Sequence, residues 1–108
     1  MNKLFTYVSA IHQLASPVAI LRQESETESW MDQGFEVAKT VTTYCFDNGV
    51  VIRQTVERDA FPSDLACSEC WIVYEVLSQG NLAGKPFPPR QVFENTCRES
   101  FWLSYHHA

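Results

Sequence analysis

Cys67 and Cys70 form the one short motif in the chain whose spacing suggests chemistry. A C-x-x-C pair can supply part of the tetrahedral shell of a structural zinc ion, or it can exchange electrons as a dithiol. The remaining zinc ligands would have to come from cysteines or histidines far away in sequence, so only half of a complete zinc pattern is present. A zinc or thiol-redox site at Cys67 and Cys70 is therefore one hypothesis.

The alternative is that the cysteines are reduced and have a structural role only. In thiol-exchange enzymes the first cysteine usually begins a helix, whereas the segment CSECWIVYEVL (67–77) has the apolar composition of a strand. On this interpretation the C-x-x-C pair marks the start of a strand. Cys45 and Cys97 then behave as small buried hydrophobic residues, and we expect no cofactor.

Glu75 interrupts an otherwise apolar strand and is the candidate general base. If it were buried, it would need a partner such as Arg53 or Tyr44, or its pKa would rise. A cavity between sheet and helices, lined by Glu75, Tyr74 and Arg53, would indicate a small-molecule-binding protein or an enzyme. The usual preference of glutamate for solvent favours an outward position instead.

Glu24, Glu26 and Glu28 alternate with serine and threonine. On an extended chain these carboxylates would share one face and could attract a cation or a basic peptide. The composition is more typical of a solvated connection. His12 is expected to be an exposed residue of the first helix.

The overall charge and the missing motifs exclude several classes of function. Eight Lys and Arg residues against thirteen Asp and Glu give a net charge of -5, and the basic residues are scattered, which disfavours nucleic-acid binding. There is no phosphate-binding glycine loop, HExxH motif or nucleophile elbow. No apolar run is long enough to cross a bilayer, and no clean cleavage site follows the first apolar patch. We therefore expect a cytoplasmic protein without membrane partners.

Aromatic residues make up 13% of the chain, more than a small sheet with two helices obviously requires. Aromatic side chains are enriched in the cores of protein interfaces. The sequence therefore predicts a non-enzymatic interaction or regulatory module that forms a homodimer and can bind a protein partner. The residues predicted to bind are Trp30, Arg53, Trp71, Tyr74, Trp102 and Tyr105.

The length of 108 residues suits a single domain, spanning 1–108. Apolar residues at spacings of three and four predict a helix from Leu4 to Ala15, which Pro17 ends. The segment PVAILRQ (17–23) predicts a buried strand. SETESWMDQG (25–34) is interpreted as a connection.

A β-hairpin is the clearest local signal, because two runs rich in valine, threonine and aromatic residues flank DNG (47–49). If 48–49 were a two-residue turn, Lys39 would face Arg58 across the strands. If 47–49 were a three-residue loop, Lys39 would face Glu57. Opposite charges across strands are favourable, so the second register is preferred.

The remaining segments complete an α+β fold. AFPSDLA (60–66) is a link, 67–77 a central strand that is apolar on both faces, and SQGNLAGKPFPP (78–89) a loop. A second helix is predicted from Pro89 to Leu103. The expected fold is a mainly antiparallel sheet of about four strands, flanked by an N-terminal and a C-terminal helix.

Overall fold

The computed structural model describes residues 3–14, 16–59, 69–80, 82, 84 and 86–107. Five strands form one antiparallel sheet in the order of the sequence, β1-β2-β3-β4-β5. The predicted α+β class is confirmed, with five strands in place of about four. The elements are α1 (Leu4–Ile11), β1 (Ile20–Asp32), β2 (Phe35–Phe46), β3 (Val50–Asp59), β4 (Glu69–Gln79), β5 (Arg90–Asn95) and α2 (Thr96–His107).

The hairpin of β2 and β3 has the predicted register, with Lys39 opposite Glu57. Gly49 closes its turn with a φ of 86°, which glycine adopts without steric cost. Gly80, at the end of β4, lies so close to this turn that a Cβ atom there would be 2.3 Å from the carbonyl carbon of Gly49. Any side chain at Gly80 would therefore push the turn away from β4.

β1 differs from the prediction, because the supposed connection at 25–34 is largely strand. It runs from Ile20 to Asp32 and meets β2 at a two-residue turn, where Gln33 and Gly34 have φ values of 52° and 84°. Residues 21–31 are exposed, since β1 is an edge strand that extends beyond the helices. Because the strand buries neither face, its sequence has no apolar alternation, and the sequence pattern therefore did not predict a strand there.

β5 is a second correction, because the predicted helix from Pro89 begins only at Thr96 and continues to His107. Val92 pairs with Val73 of β4, and Phe93 is buried in the core. Pairing and burial outweigh the helical spacing of the aromatic residues here. β4 lies between β3 and β5, as expected for a central strand.

The two helices cover one face of the sheet, which we name the closed face. The ring of Tyr7 on α1 packs edge-on against Phe46 with centroids 4.9 Å apart, and Trp102 on α2 packs against Phe93 at 5.3 Å. α1 ends at Ile11, before the predicted end at Ala15. The buried core consists of Leu4, Tyr7, Val8, Tyr44, Phe46, Val50, Ile52, Cys70, Ile72, Tyr74, Val76, Phe93 and Leu103.

The opposite side of the sheet is the open face, which no helix in the described part of the chain covers. Successive side chains of a strand point to opposite faces, so the register assigns its members. The open face includes Arg22, Glu24, Glu26, Glu28, Trp30, Val37, Lys39, Val41, Thr43, Cys45, Val51, Arg53, Thr55, Glu57, Trp71, Val73, Glu75, Arg90 and Val92.

Among the described helices, none has the length and apolar character required to cross a membrane.

Candidate functional site

A polar cluster lies between the closed face and the helices. The hydroxyl of the fully buried Tyr74 donates to Glu99 Oε2 at 2.5 Å and accepts from Gln54 Nε2 at 3.0 Å. His12 Nε2 lies 3.1 Å from the Tyr74 hydroxyl and 3.2 Å from Glu99 Oε1. Because the single hydroxyl proton of Tyr74 goes to Glu99, His12 Nε2 must carry a hydrogen in this arrangement.

The members of this His12–Tyr74–Glu99 cluster come from separate elements. His12 caps the C-terminus of α1, Glu99 lies in the first turn of α2, and Tyr74 and Gln54 project from neighbouring strands. Each polar side chain of this cluster has a hydrogen-bond partner on another element, which is the usual condition for burying such groups. The cluster therefore ties both helices to the sheet.

Electrostatics within the cluster favour a charged pair. The hydrogen bond to Glu99 raises the pKa of His12 above its ordinary value of 6.5, although burial acts against this. Burial by itself would raise the pKa of Glu99, but hydrogen bonds from His12 and Tyr74 outweigh it and lower the pKa below 4.5. Burial, together with the charge of Glu99, raises the pKa of Tyr74 far above 10.0. Tyr74 therefore stays a neutral donor.

A carboxylate that fixes His12 Nε2 as a donor is also the arrangement that orients a histidine for proton transfer. Here, however, Glu99 is only 7% exposed and its hydrogen bonds go to His12 and Tyr74. The polar atoms of the cluster thus contact one another even though 34% of the His12 side chain is exposed. We therefore assign the cluster to helix packing. The sequence correctly indicated exposure at His12 but missed Glu99. The position of Glu99, four residues before the buried Leu103, was the available signal.

Glu75 points to the open face, where its Oε1 accepts a hydrogen bond from Arg53 Nη2 at 2.8 Å. The two side chains are 35% and 41% exposed, and Arg90 stands opposite Glu75 on β5. Tyr74, the neighbouring residue, points to the closed face. Glu75, Tyr74 and Arg53 therefore do not line one cavity between sheet and helices, although Arg53 is the partner that the sequence suggested.

The centre of the open face is a shallow depression of about 330 Å³. Trp30 and Trp71 are 39% and 48% exposed and belong to this face. They come from β1 and β4, so roughly 14 Å of sheet separates them at the usual strand spacing. The depression is lined by Lys39, Val41, Arg53, Thr55, Val73, Glu75 and Arg90.

Trp102 and Tyr105 lie on α2, away from the open face. Trp102 packs against Phe93, while Tyr105 is 69% exposed and stacks on Phe101 with centroids 6.5 Å apart. The predicted binding residues thus occupy two surfaces, and Tyr74 is in the core. A cavity of about 420 Å³ beside β5 is lined by Gln91, Val92, Phe93, Glu94, Arg98, Phe101 and Trp102.

The expectation that the cysteines are reduced does not hold for all of them. Cys45 and Cys70 are free thiols, and Cys70 is buried. Cys97 is exposed and disulfide-bonded, so the expectation of a small buried thiol at this position is wrong. Within the described ranges, no group of three or more His, Cys, Asp or Glu could hold a metal ion. Cys67 lies outside the described residues, and the zinc or redox site stays a prediction.

No protein family, curated protein or solved structure matches this chain.

The two faces of the sheet differ in what they leave accessible to another molecule. The closed-face cluster uses its hydrogen-bonding groups internally, whereas the open face presents charged and aromatic side chains. The open face is therefore the candidate functional site.

Proposed function

We propose that this chain is a non-enzymatic interaction or regulatory module that forms a homodimer through the open face. The observation that supports the proposal is the partial exposure of Trp30 and Trp71, 39% and 48%, on this uncovered side of the described sheet. Aromatic side chains of this size are favoured at interface cores. Contact with a second copy would remove their apolar surface from water at about 25 cal/mol per Å².

The size of the open face suits such a dimer. Five strands span roughly 19 Å at the usual spacing, and ten residues of strand extend about 33 Å, which gives about 600 Å² of planar area. The relief of the side chains increases the accessible area toward the ~800 Å² per partner that a standard interface buries. One face is therefore sufficient for a specific contact.

Charge on the open face selects one orientation of the two copies. A twofold axis across the strands would place β1 on β1 and bring Glu24, Glu26 and Glu28 against their own copies. An axis parallel to the strands places β1 over β5 of the partner copy, close to Arg90. Opposite charges then face each other twice, and we favour this arrangement.

Light scattering at several protein concentrations tests the proposal. We expect wild type to have the mass of a dimer and Trp71→Ser to shift toward the monomer. Phe101→Ser is the matched control, because Phe101 is 71% exposed on α2, away from the open face. A strictly monomeric wild type, or dissociation by Phe101→Ser in place of Trp71→Ser, would overturn it.

The cytoplasmic location stays a prediction. The disulfide bond at Cys97 counts against it, because disulfides rarely persist in the reducing cytosol. Alkylation in denaturant followed by peptide mapping provides the test. We expect Cys45 and Cys70 to react directly, and Cys97 to react only after reduction. Direct reaction of Cys97 in acid-quenched cells would support the cytoplasmic location.

A further inference from the structure

The outer edge of β1 is unpaired within the described chain. β1 has 13 residues and pairs only with β2 in the sheet. Natural proteins usually protect such an edge with charged side chains, especially lysine, or with proline, a bulge or a short strand. Residues 23–31 of β1 contain no lysine or proline and keep an uninterrupted register with β2, and their only charged residues are Glu24, Glu26 and Glu28. These glutamates repel an acidic strand and attract a basic one, so this edge can accept a basic strand.

The turn at 33–34 shows which backbone groups are available. In a hairpin with a two-residue turn, the residues that flank the turn exchange backbone hydrogen bonds. Asp32 flanks the turn, and from Asp32 backward every second residue of β1 repeats this pattern, so the even-numbered residues form the backbone hydrogen bonds to β2. The N–H and C=O groups of Ser25, Thr27 and Ser29 consequently face the free edge.

The side chains next to these groups define the partner. Glu24, Glu26 and Glu28 alternate with them and share the open face, and each is exposed. Glu24 Oε1 lies 3.8 Å from Arg22 Nε. Glu28 stands opposite Lys39, whereas Glu26 stands opposite Val41 and has no cation directly across on the described strand β2. A depression of about 140 Å³, lined by Glu26, Thr27, Glu28, Lys39 and Val41, lies beside this row. It offers space for a side chain from an added strand.

We propose that the edge of β1 binds an extended segment of another protein that carries lysine or arginine at alternate positions. Backbone hydrogen bonds to Ser25, Thr27 and Ser29 would add the segment to the sheet, and its cations would lie beside the glutamates. A second copy of this chain is disfavoured as the occupant. Antiparallel pairing of two β1 strands about Glu26 would bring like charges together.

This interaction goes beyond the proposed homodimer and rests mainly on different atoms. The dimer uses the side chains of the open face, whereas the added strand uses the backbone of an edge. The glutamates of β1 take part in both, so a bound segment would compete with Arg90 of the partner copy for these carboxylates. The variants Thr27→Pro and Trp71→Ser separate the two proposals, because the first alters only the edge backbone and the second only a side chain of the open face.

A fluorescent peptide of about seven residues, in which lysine alternates with threonine, is the probe. We expect it to bind the wild-type chain in fluorescence anisotropy, with affinity that falls as salt rises. Two control peptides have lysines in one block or glutamate in place of lysine. We expect both to bind at least about tenfold more weakly, a factor equal to ~1.4 kcal/mol. Equal binding of the block and alternating peptides would overturn the proposal.

Thr27→Pro tests the backbone directly, because it removes an N–H that faces the edge and keeps the ladder to β2. We expect Thr27→Pro to lose peptide binding by about tenfold or more and Thr27→Ala to retain it. Unchanged affinity in Thr27→Pro would contradict strand addition. Circular dichroism verifies that each variant is folded.

A charge-swapped chain keeps the test decisive if proline disturbs folding. With Glu24, Glu26 and Glu28 all replaced by lysine, we expect the preference to switch to the glutamate peptide. A continued preference for the lysine peptide would contradict the proposal. Repeating the titration with Trp71→Ser separates this result from dimer formation, because that variant keeps β1 intact.

Discussion

The closed and open faces of the same sheet use similar residue types in opposite ways. On the closed face, Glu99 is 7% exposed and its hydrogen bonds are to His12 and Tyr74. On the open face, Glu75 is 35% exposed and pairs with Arg53 across β3 and β4. A buried, mutually satisfied carboxylate specifies how helices pack, whereas a half-exposed ion pair leaves its charges available to another molecule. The comparison separates residues that stabilise the fold from residues that can bind.

The largest effect on stability is expected from Tyr74→Phe. This change removes the hydroxyl that bonds Glu99 and Gln54, and hydrogen bonds to charged groups contribute about 1.5–3 kcal/mol. We expect urea unfolding to show a loss of about 2 kcal/mol in the free energy of unfolding. Tyr105→Phe is the control, since that ring is 69% exposed, and should stay within ~0.5 kcal/mol. Equal losses in the two variants would remove the distinction between cluster and surface.

Arg90→Glu tests the charge pattern of the open face. In the proposed orientation Arg90 lies near the glutamates of the partner copy, so reversal creates repulsion at two symmetric positions. We expect sedimentation equilibrium to show a dimer affinity about tenfold lower than that of wild type, a loss of ~1.4 kcal/mol. Arg98→Glu on α2 is the control and should leave the affinity unchanged. A stronger effect at Arg98 would point to the α2 surface.

The closed-face cluster also predicts a pH dependence. His12 has a raised pKa, so its stabilising contribution is complete below pH 6.5 and is lost as pH rises through its folded-state value. Glu99 has a lowered pKa, so its contribution is present above pH 4.5 and is lost as pH falls through its folded-state value. Stability from this pair should be greatest between these two limits.

His12→Gln should remove the loss on the alkaline side of this maximum. Because a third of the His12 side chain is exposed, we expect a difference below ~1 kcal/mol. Urea midpoints measured from pH 4 to 8 provide the comparison. An alkaline limb of the same slope in His12→Gln would show that another group causes it.

The smallest effect is expected from the Arg53–Glu75 pair. Exposed ion pairs contribute about 0.2–1 kcal/mol. A double-mutant cycle with Arg53→Ala and Glu75→Ala should give a coupling in that range, decreasing with salt. A coupling energy well above this range would show that the ion pair stabilises the fold, as the closed-face cluster does.

Local sequence patterns predicted the elements whose conformation depends on residues close together in the sequence. The hairpin register followed from DNG (47–49) and from the charges of Lys39 and Glu57, and α1 followed from its apolar spacing. β1 was missed because a strand exposed on both faces needs no apolar alternation. β5 was missed because pairing with β4, distant in sequence, decides its conformation.

The candidate sites were predictable to different extents. Arg53 and Tyr44 were both named as partners for Glu75 because a buried carboxylate needs one, and the structure places Arg53 in that role. The contact of His12 with Tyr74 joins residues 62 positions apart, and that of Tyr74 with Glu99 spans 25. Such contacts arise only when both helices pack on the sheet. Periodicity within one segment carries no signal for them.

The central claim, that the open face mediates contact between copies, is tested most directly by Val73→Glu in sedimentation equilibrium. Val73 is half-buried at the centre of the open face, where a second copy would cover it. We expect a folded monomer, because a second copy would bury the added carboxylate, and the desolvation penalty of a buried charge can exceed the Coulombic gain from neighbours such as Arg53. A dimer as tight as wild type would contradict the claim.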